Sequence, residues 1–146
     1  MRLHTATHLL LESLRKVLGD QVMQKGQNIS SKRSRFDFNH NTKLTEKELE
    51  KVESLINEII DKDLQVNKKE MKISEAEKTG AIHAFGEKYG DEVNVYFVGE
   101  DLKKAFSKEF CGGPHVSRTS EIGRVKIKKQ DKIGANTVRI YLVLNK

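Results

Sequence analysis

The chain has 146 residues, 36% of them apolar and 33% charged, long enough for one domain with a buried core and too clearly patterned to be a disordered one. Its 27 Lys and Arg outnumber 21 Asp and Glu, a balance of +6 that favours a polyanionic partner such as nucleic acid, although a Lys-rich solvated surface accounts for it equally. The single cysteine excludes an internal disulfide and no apolar run approaches membrane-spanning length, so the expectation is a cytoplasmic protein with no membrane partner.

Residues 3–18 are predicted as an amphipathic helix. Leu3, Ala6, Leu10, Leu14 and Val17 share one face, Leu9, Leu11 and Leu18 widen it, and Gly19-Asp20 stops it. His4 and His8 stand one turn apart on a neighbouring face, followed by Glu12 and Arg15. Looser alternation over 21–38 predicts two strands joined around Lys25-Gly26-Gln27-Asn28, and Asn39-His40-Asn41 reads as a turn. Thr45 and Glu48 spell a capping box for a helix through about Asp61, with Leu49, Val52, Leu55, Ile56, Ile59 and Ile60 as its buried stripe.

Residues 64–68 alternate like a strand. Ser74 and Glu77 suggest a cap on a short helix that ends near Thr79, before Gly80. Residues 86–91 read as a turn-rich link, 92–98 as a strand with Val93, Val95 and Phe97 on one side, and 105–110 as a strand running directly into Cys111. After that cysteine, Arg124-Val125-Lys126-Ile127-Lys128 alternates base with hydrophobe, 131–136 reads as a turn, and a last strand points Val138, Ile140, Leu142 and Leu144 inward. The fold class is α+β: a single domain over 1–146, with a mostly antiparallel sheet packed with two main helices.

Two short segments carry the chemistry. His4-Thr-Ala-Thr-His8 places two imidazoles at i and i+4, one helical face, where a pair can hold one metal ion. Alone that spacing is weak, since two helix-surface histidines arise often by chance, and position 5 is Thr, so no general base accompanies the pair. Cys111-Gly112-Gly113-Pro114-His115 adds a thiol and a third imidazole. Three nitrogens and one sulfur match the ligand preference and coordination number of Zn2+, the glycines permit a tight turn, and the proline fixes the approach to His115. The bland alternative is a small buried cysteine beside a turn histidine, over which the spacing and ligand types favour metal binding. If a metal is bound, it sits between the N-terminal helix and the Cys-Gly-Gly-Pro-His loop, as a closed structural staple or as a centre in which one ligand gives way to water or substrate.

His4 to Leu10, Gln24-Lys-Gly26, Arg35-Phe-Asp-Phe38-Asn-His40, Phe85-Gly-Glu-Lys-Tyr-Gly-Asp91, Cys111 to Val116 and Glu121-Ile-Gly123 occur in this order. Together they resemble the editing domain of alanyl-tRNA synthetase and the freestanding alanyl-tRNA trans-editing proteins, over about residues 2–140. The resemblance implies hydrolysis of serine or glycine esterified to the 3′-terminal adenosine of tRNA(Ala), by a domain excised from, or working beside, a full alanyl-tRNA synthetase. It puts His4, His8, Cys111 and His115 on zinc-ligand positions. Thr7 and Gln24 then fall in the editing pocket as substrate-binding residues, with Gly112 and Gly113 in one wall. A pocket shaped for a methyl group cannot strongly reject glycine or an added hydroxyl, which is the chemical need for a second, hydrolytic site. Lys25, Arg35, Arg124, Lys126 and Lys128 are candidate contacts to tRNA phosphates, or simply a solvated face; no DNA partner is implied. Pro114 stands where most alanyl members have Thr, and a Gly-Pro-His loop also occurs in the threonyl-tRNA synthetase editing domain. Serine on tRNA(Thr) is therefore the alternative substrate, and a non-catalytic, zinc-stapled tRNA-binding module the alternative function.

Overall fold

A computed structural model describes residues 1–82 and 90–145. Helix α1 (Arg2–Leu18) and helix α2 (Glu46–Asp61) pack on each other and on one face of an antiparallel sheet. That sheet has the order β1 (Gln24–Ile29), β2 (Ser34–Asn39), β7 (Thr137–Asn145), β6 (Arg124–Gly134). The reason is legible in β2 and β7. Ser34, Phe36 and Phe38, then Val138, Ile140 and Leu142, are buried at every second position. Their apolar members meet Ala6, Leu9, Leu10 and Leu14 of α1 and Val52, Ile56 and Ile60 of α2 in one core. Arg35, Asp37, Arg139 and Tyr141 alternate onto the outer face, where Arg139 donates to both carboxylate oxygens of Asp37 at 2.8 and 3.0 Å.

A second antiparallel sheet has the order β3 (Val66–Lys72), β4 (Glu92–Val98), β5 (Ser107–Phe110). Short helix α3 (Ile73–Lys78) covers one side of it, where Ala76, Val93, Val95 and Phe110 form a small separate core. Tyr96 and Glu109, cross-strand neighbours in the β4–β5 ladder, lie on the other side, towards α1.

The capping box of α2 forms as expected: Glu48 N donates to Thr45 Oγ1 at 3.2 Å and Thr45 N to Glu48 Oε1 at 2.8 Å. Buried within its stripe is Asn57, whose amide both donates to and accepts from the backbone of Val125, at 3.1 and 3.0 Å, fastening α2 to β6. Leu49 and Leu55 are only half-buried.

Several expectations are corrected. Among the described residues there are two sheets, not one, while the two main helices and the short third helix form as expected. The segment 25–28 is not a turn but lies within β1, where Gly26 adjoins a β-bulge. The reversal falls at 30–33, where the Ser30 hydroxyl accepts from the backbone N–H of Lys32 and Arg33, both at 3.2 Å. Residues 131–134 continue β6, leaving a two-residue turn at 135–136. β3 begins at Val66 and runs on to Lys72, and Ser74 sits inside the first turn of α3 instead of capping it. A short 3-10 turn at Leu102–Lys104 delays β5 to Ser107. The motif over 85–91 falls mostly outside the described residues.

Candidate metal centre

α1 turns His4 and His8 away from the four-stranded sheet, towards the end of β5 and the loop that follows it. Cys111 N donates to Asn94 O at 3.1 Å, extending the β4–β5 ladder by one residue, after which the chain turns back and presents His115. One ligand atom from each of His4, His8, Cys111 and His115 lies within 4.8 Å of the others. The Cys111 sulfur is 3.3 Å from His4 Nε2 and 3.4 Å from His115 Nε2. The His4 and His115 rings stack at 4.1 Å, and His8 stands edge-on to both.

The other nitrogen of each ring is engaged. His4 Nδ1 is 3.0 Å from the carbonyl of Pro114. The Thr5 hydroxyl donates to Met1 O at 3.2 Å, so it accepts from Val116 N at 3.1 Å and from His115 Nδ1 at 2.9 Å. His8 Nδ1 stands 3.3 Å from Glu109 Oε1, at ion-pair distance though not aligned as a hydrogen bond. With Nδ1 of His4 and His115 beside the Pro114 carbonyl and the Thr5 hydroxyl, it is Nε2 of these two rings that faces the sulfur, and Nδ1 of His8 lies beside Glu109. This is the outer arrangement that fixes histidine tautomers around a metal.

Burial adds to this. It holds His8 well below its ordinary pKa, with repulsion from His115 and His4 assisting, and brings His115 down to about 3, with His4 and the N-terminal ammonium assisting. Burial lowers His4 too, against the Pro114 hydrogen bond, which raises it. Neutral imidazole is the ligating form. The three rings protonate in the unfolded chain near 6.5 but resist protonation when folded. Their contribution to stability is therefore complete above pH 6.5 and falls as pH drops towards 3. Glu109 and Glu12, whose carboxyls burial raises, Glu109 well above the usual range, work in the opposite sense, two groups against three. Calorimetry of the metal-free domain should show a melting temperature that declines steadily below pH 6.5. A flat profile between pH 7 and 4.5 would refute this electrostatic picture.

The comparisons bear on what such a centre is for. The model of the threonyl and alanyl tRNA synthetase second additional domain matches residues 93–141. The chain is 52% identical over 141 residues to the alanine–tRNA ligase of Treponema denticola, a match covering 97% of this chain and 23% of that protein. Identity to the alanine–tRNA ligase of Borrelia garinii is 49% over 143 residues, covering 98% and 23%, and to that of Leptospira interrogans 50% over 137 residues, covering 94% and 14%. These matches support an alanyl-tRNA synthetase editing-type domain. The chain spans less than a quarter of the length of these curated relatives.

In this editing-type domain the expected site residues are not all in one place. Gly113 closes on the cluster: a Cβ built there falls 2.4 Å from His4 Cε1. Gly112 has nothing within 4 Å of its Cβ direction and stands open to solvent. Thr7 turns the other way, its buried hydroxyl 2.6 Å from Leu3 O and 2.7 Å from Ser34 Oγ at the start of β2. Gln24 pairs with Phe38, at the opposite end of the β1–β2 ladder from the Ile29–Ser34 pair, roughly 17 Å along the strand at ~3.3 Å per residue. Arg35 and Lys126 point outward from the four-stranded sheet, whose inner face carries α1, so sheet and helix separate them from the cluster. Lys25 Nζ donates to Thr137 Oγ1, Arg124 Nη1 lies 3.6 Å from Asp61, and Lys128 is exposed at a bulge of β6.

Three residues at the centre escaped the sequence reading: Thr5, Glu109 and Tyr96. Tyr96 rests on the His115 ring with centroids 4.2 Å apart, and burial, then proximity to Cys111, raises its pKa. An aromatic on the side of β4 opposite Val93, Val95 and Phe97 was the available signal. For Glu109 it was an acid immediately before the apolar Phe110, and Thr5 offered none beyond its place next to His4.

Proposed function

We propose that this domain, residues 1–146 acting as one unit, binds Zn2+ through His4, His8, Cys111 and His115 and hydrolyses serine or glycine from mischarged tRNA(Ala) in the cytoplasm. The observation that carries this is the convergence of three histidines, each with Nδ1 facing an acceptor, on one thiol. Three imidazoles and a thiolate suit Zn2+ above harder cations. When bound, that ion supplies Lewis acidity, polarising the ester carbonyl or lowering the pKa of a water. The chain's own part is to hold the ligands and leave access. His8 is deep and Cys111, His4 and His115 half-exposed, with the open Gly112 beside them, so one side of the centre admits the aminoacyl end. Gly112 and Gly113 form the wall on that side. Thr7 and Gln24 enter this reading as supports, of α1 on β2 and of the β1–β2 hairpin. The alanine–tRNA ligase relatives favour tRNA(Ala) over tRNA(Thr). Within the described residues no helix is long and apolar enough to cross a membrane.

Purified domain should release serine and glycine from tRNA(Ala) far faster than it releases alanine. Equal, background loss of the serine and alanine esters sinks the enzyme reading and leaves a stapled tRNA-binding module; faster release from Ser-tRNA(Thr) moves the reading to the threonyl substrate.

Arg35 and Lys126 lie on the sheet face opposite α1, and we assign them, with Lys25, Arg124 and Lys128, to phosphates of the tRNA body. Replacing Lys126 and Lys128 by Ala should weaken tRNA binding, flatten its salt dependence by roughly one unit of log–log slope per lost contact, and leave the rate at saturation intact. An unchanged slope removes these residues from the interface.

A further inference from the structure

We infer that Glu109 is the positioning residue that fixes His8 with Nε2 turned towards the cation, so that the three-stranded sheet, and not only the ligand loop, shapes the centre. This rests on the metal-centre reading. Glu109 sits on β5 with its side chain 10% exposed, and among the described residues its Oε1 has no aligned hydrogen-bond donor. A carboxyl group taken out of water in this way is costly unless something requires it. The groups facing it are His8, Glu12 and Arg15, all from α1. Glu12 can only repel a carboxylate. Arg15 is committed elsewhere, donating to Val22 O at 3.0 Å and lying 4.0 Å from Glu12 and 3.9 Å from Asp20. That leaves His8 Nδ1, at 3.3 Å, as its partner.

The consequence is directional. A ring whose Nδ1–H meets an acceptor presents an unprotonated Nε2 on its far side, which here is the side of Cys111 and the other two rings. His4 receives this service from the Pro114 carbonyl and His115 from the Thr5 hydroxyl, both local to the two ligand-bearing segments. His8 has no such neighbour on α1 or on the loop and obtains its acceptor from β5. The β4–β5 register makes the arrangement coherent: Tyr96, opposite Glu109, supports the His115 ring, so adjacent positions on one sheet face back two of the three imidazoles.

The test is Zn2+ affinity of the full chain, measured by competition with a chromogenic chelator, together with the His8 tautomer from long-range nitrogen–proton correlations in the Zn2+-loaded protein. Glu109→Leu, which keeps volume and removes the acceptor, is expected to bind Zn2+ about 10–100-fold more weakly and to populate both His8 tautomers. Glu109→Gln retains a carbonyl acceptor and should stay within a few-fold of the parent with a single tautomer. Parental affinity and a single tautomer in Glu109→Leu overturn the inference while leaving the metal centre standing. If Glu109→Leu does not fold, Glu109→Asp, which withdraws the oxygen by one methylene, replaces it, and parental affinity there is equally fatal. A parent that takes up no Zn2+ overturns the metal reading itself, and the inference with it.

Discussion

Gly113→Ala is expected to abolish most Zn2+ affinity and ester hydrolysis, whereas Gly112→Ala, one residue away, leaves Zn2+ affinity near the parental level. The added methyl at 113 would lie 2.4 Å from His4 Cε1 and 2.9 Å from His4 Nδ1, distances no real Cβ tolerates. The ring cannot swing aside cheaply, because it is stacked on His115 at 4.1 Å and bound to the Pro114 carbonyl at 3.0 Å. Moving the loop instead displaces Pro114 and His115 together. Either way the overpacking costs about 1–3 kcal/mol, the usual range for a methyl forced into filled space, and the distortion falls on two of the four ligands. At 112 a methyl meets nothing within 4 Å, and no left-handed backbone conformation penalises it. Zinc stoichiometry and chelator competition on both variants check this. Equal affinities would show that close packing of loop on helix does not matter to the centre.

How much of this was legible in the sequence differs by kind of feature. Periodicity placed α1, α2 and the inner faces of β2, β4 and β7, because core burial of Leu10, Ile56, Val95 and Ile140 writes itself into spacing. It failed where one residue type serves two purposes. Gly26 looked like a turn and is next to a bulge, and Ser74 looked like a cap and is inside a helix. It also could not divide seven strands between two sheets, since that depends on long-range pairing which alternation does not encode. At the site, the four side chains that converge were legible because two pairs, each weak alone, together spell three imidazoles and a thiol. Their supports were not. Thr5 acts through a hydroxyl shared with Met1, Val116 and His115, and Glu109 through a strand some hundred residues from His8. Thr7 shows the limit of resemblance. Adjacent in sequence to His8, it faces Ser34 on the other side of the helix, because consecutive helical residues diverge by about 100°.

Cys111→Ala decides between a centre that works and one that merely staples. The variant is expected to lose its zinc and its deacylase activity yet remain folded. Cys111 stands 3.3 Å from His4 Nε2 and 3.4 Å from His115 Nε2, and it is the only sulfur donor in the set. Four-ligand zinc sites bind with about 10–16 kcal/mol in favourable peptides, so one ligand in four accounts for ~3 kcal/mol, or about two orders of magnitude in affinity. The fold draws on other resources. Leu9, Leu10, Leu14, Phe36, Phe38, Ile56, Ile140 and Leu142 are fully buried in a core to which the half-exposed Cys111 does not contribute. Thr5 and Val116 still join α1 to the loop by a hydrogen bond of 3.1 Å that needs no metal. Circular dichroism should therefore give Cys111→Ala a melting temperature within a few degrees of the metal-free parent, alongside zinc that is lost to a chelator the parent withstands and background hydrolysis of Ser-tRNA(Ala). A variant that melts far below the metal-free parent would assign Cys111 to the fold, and one that keeps full hydrolysis without zinc would remove the metal from the reaction.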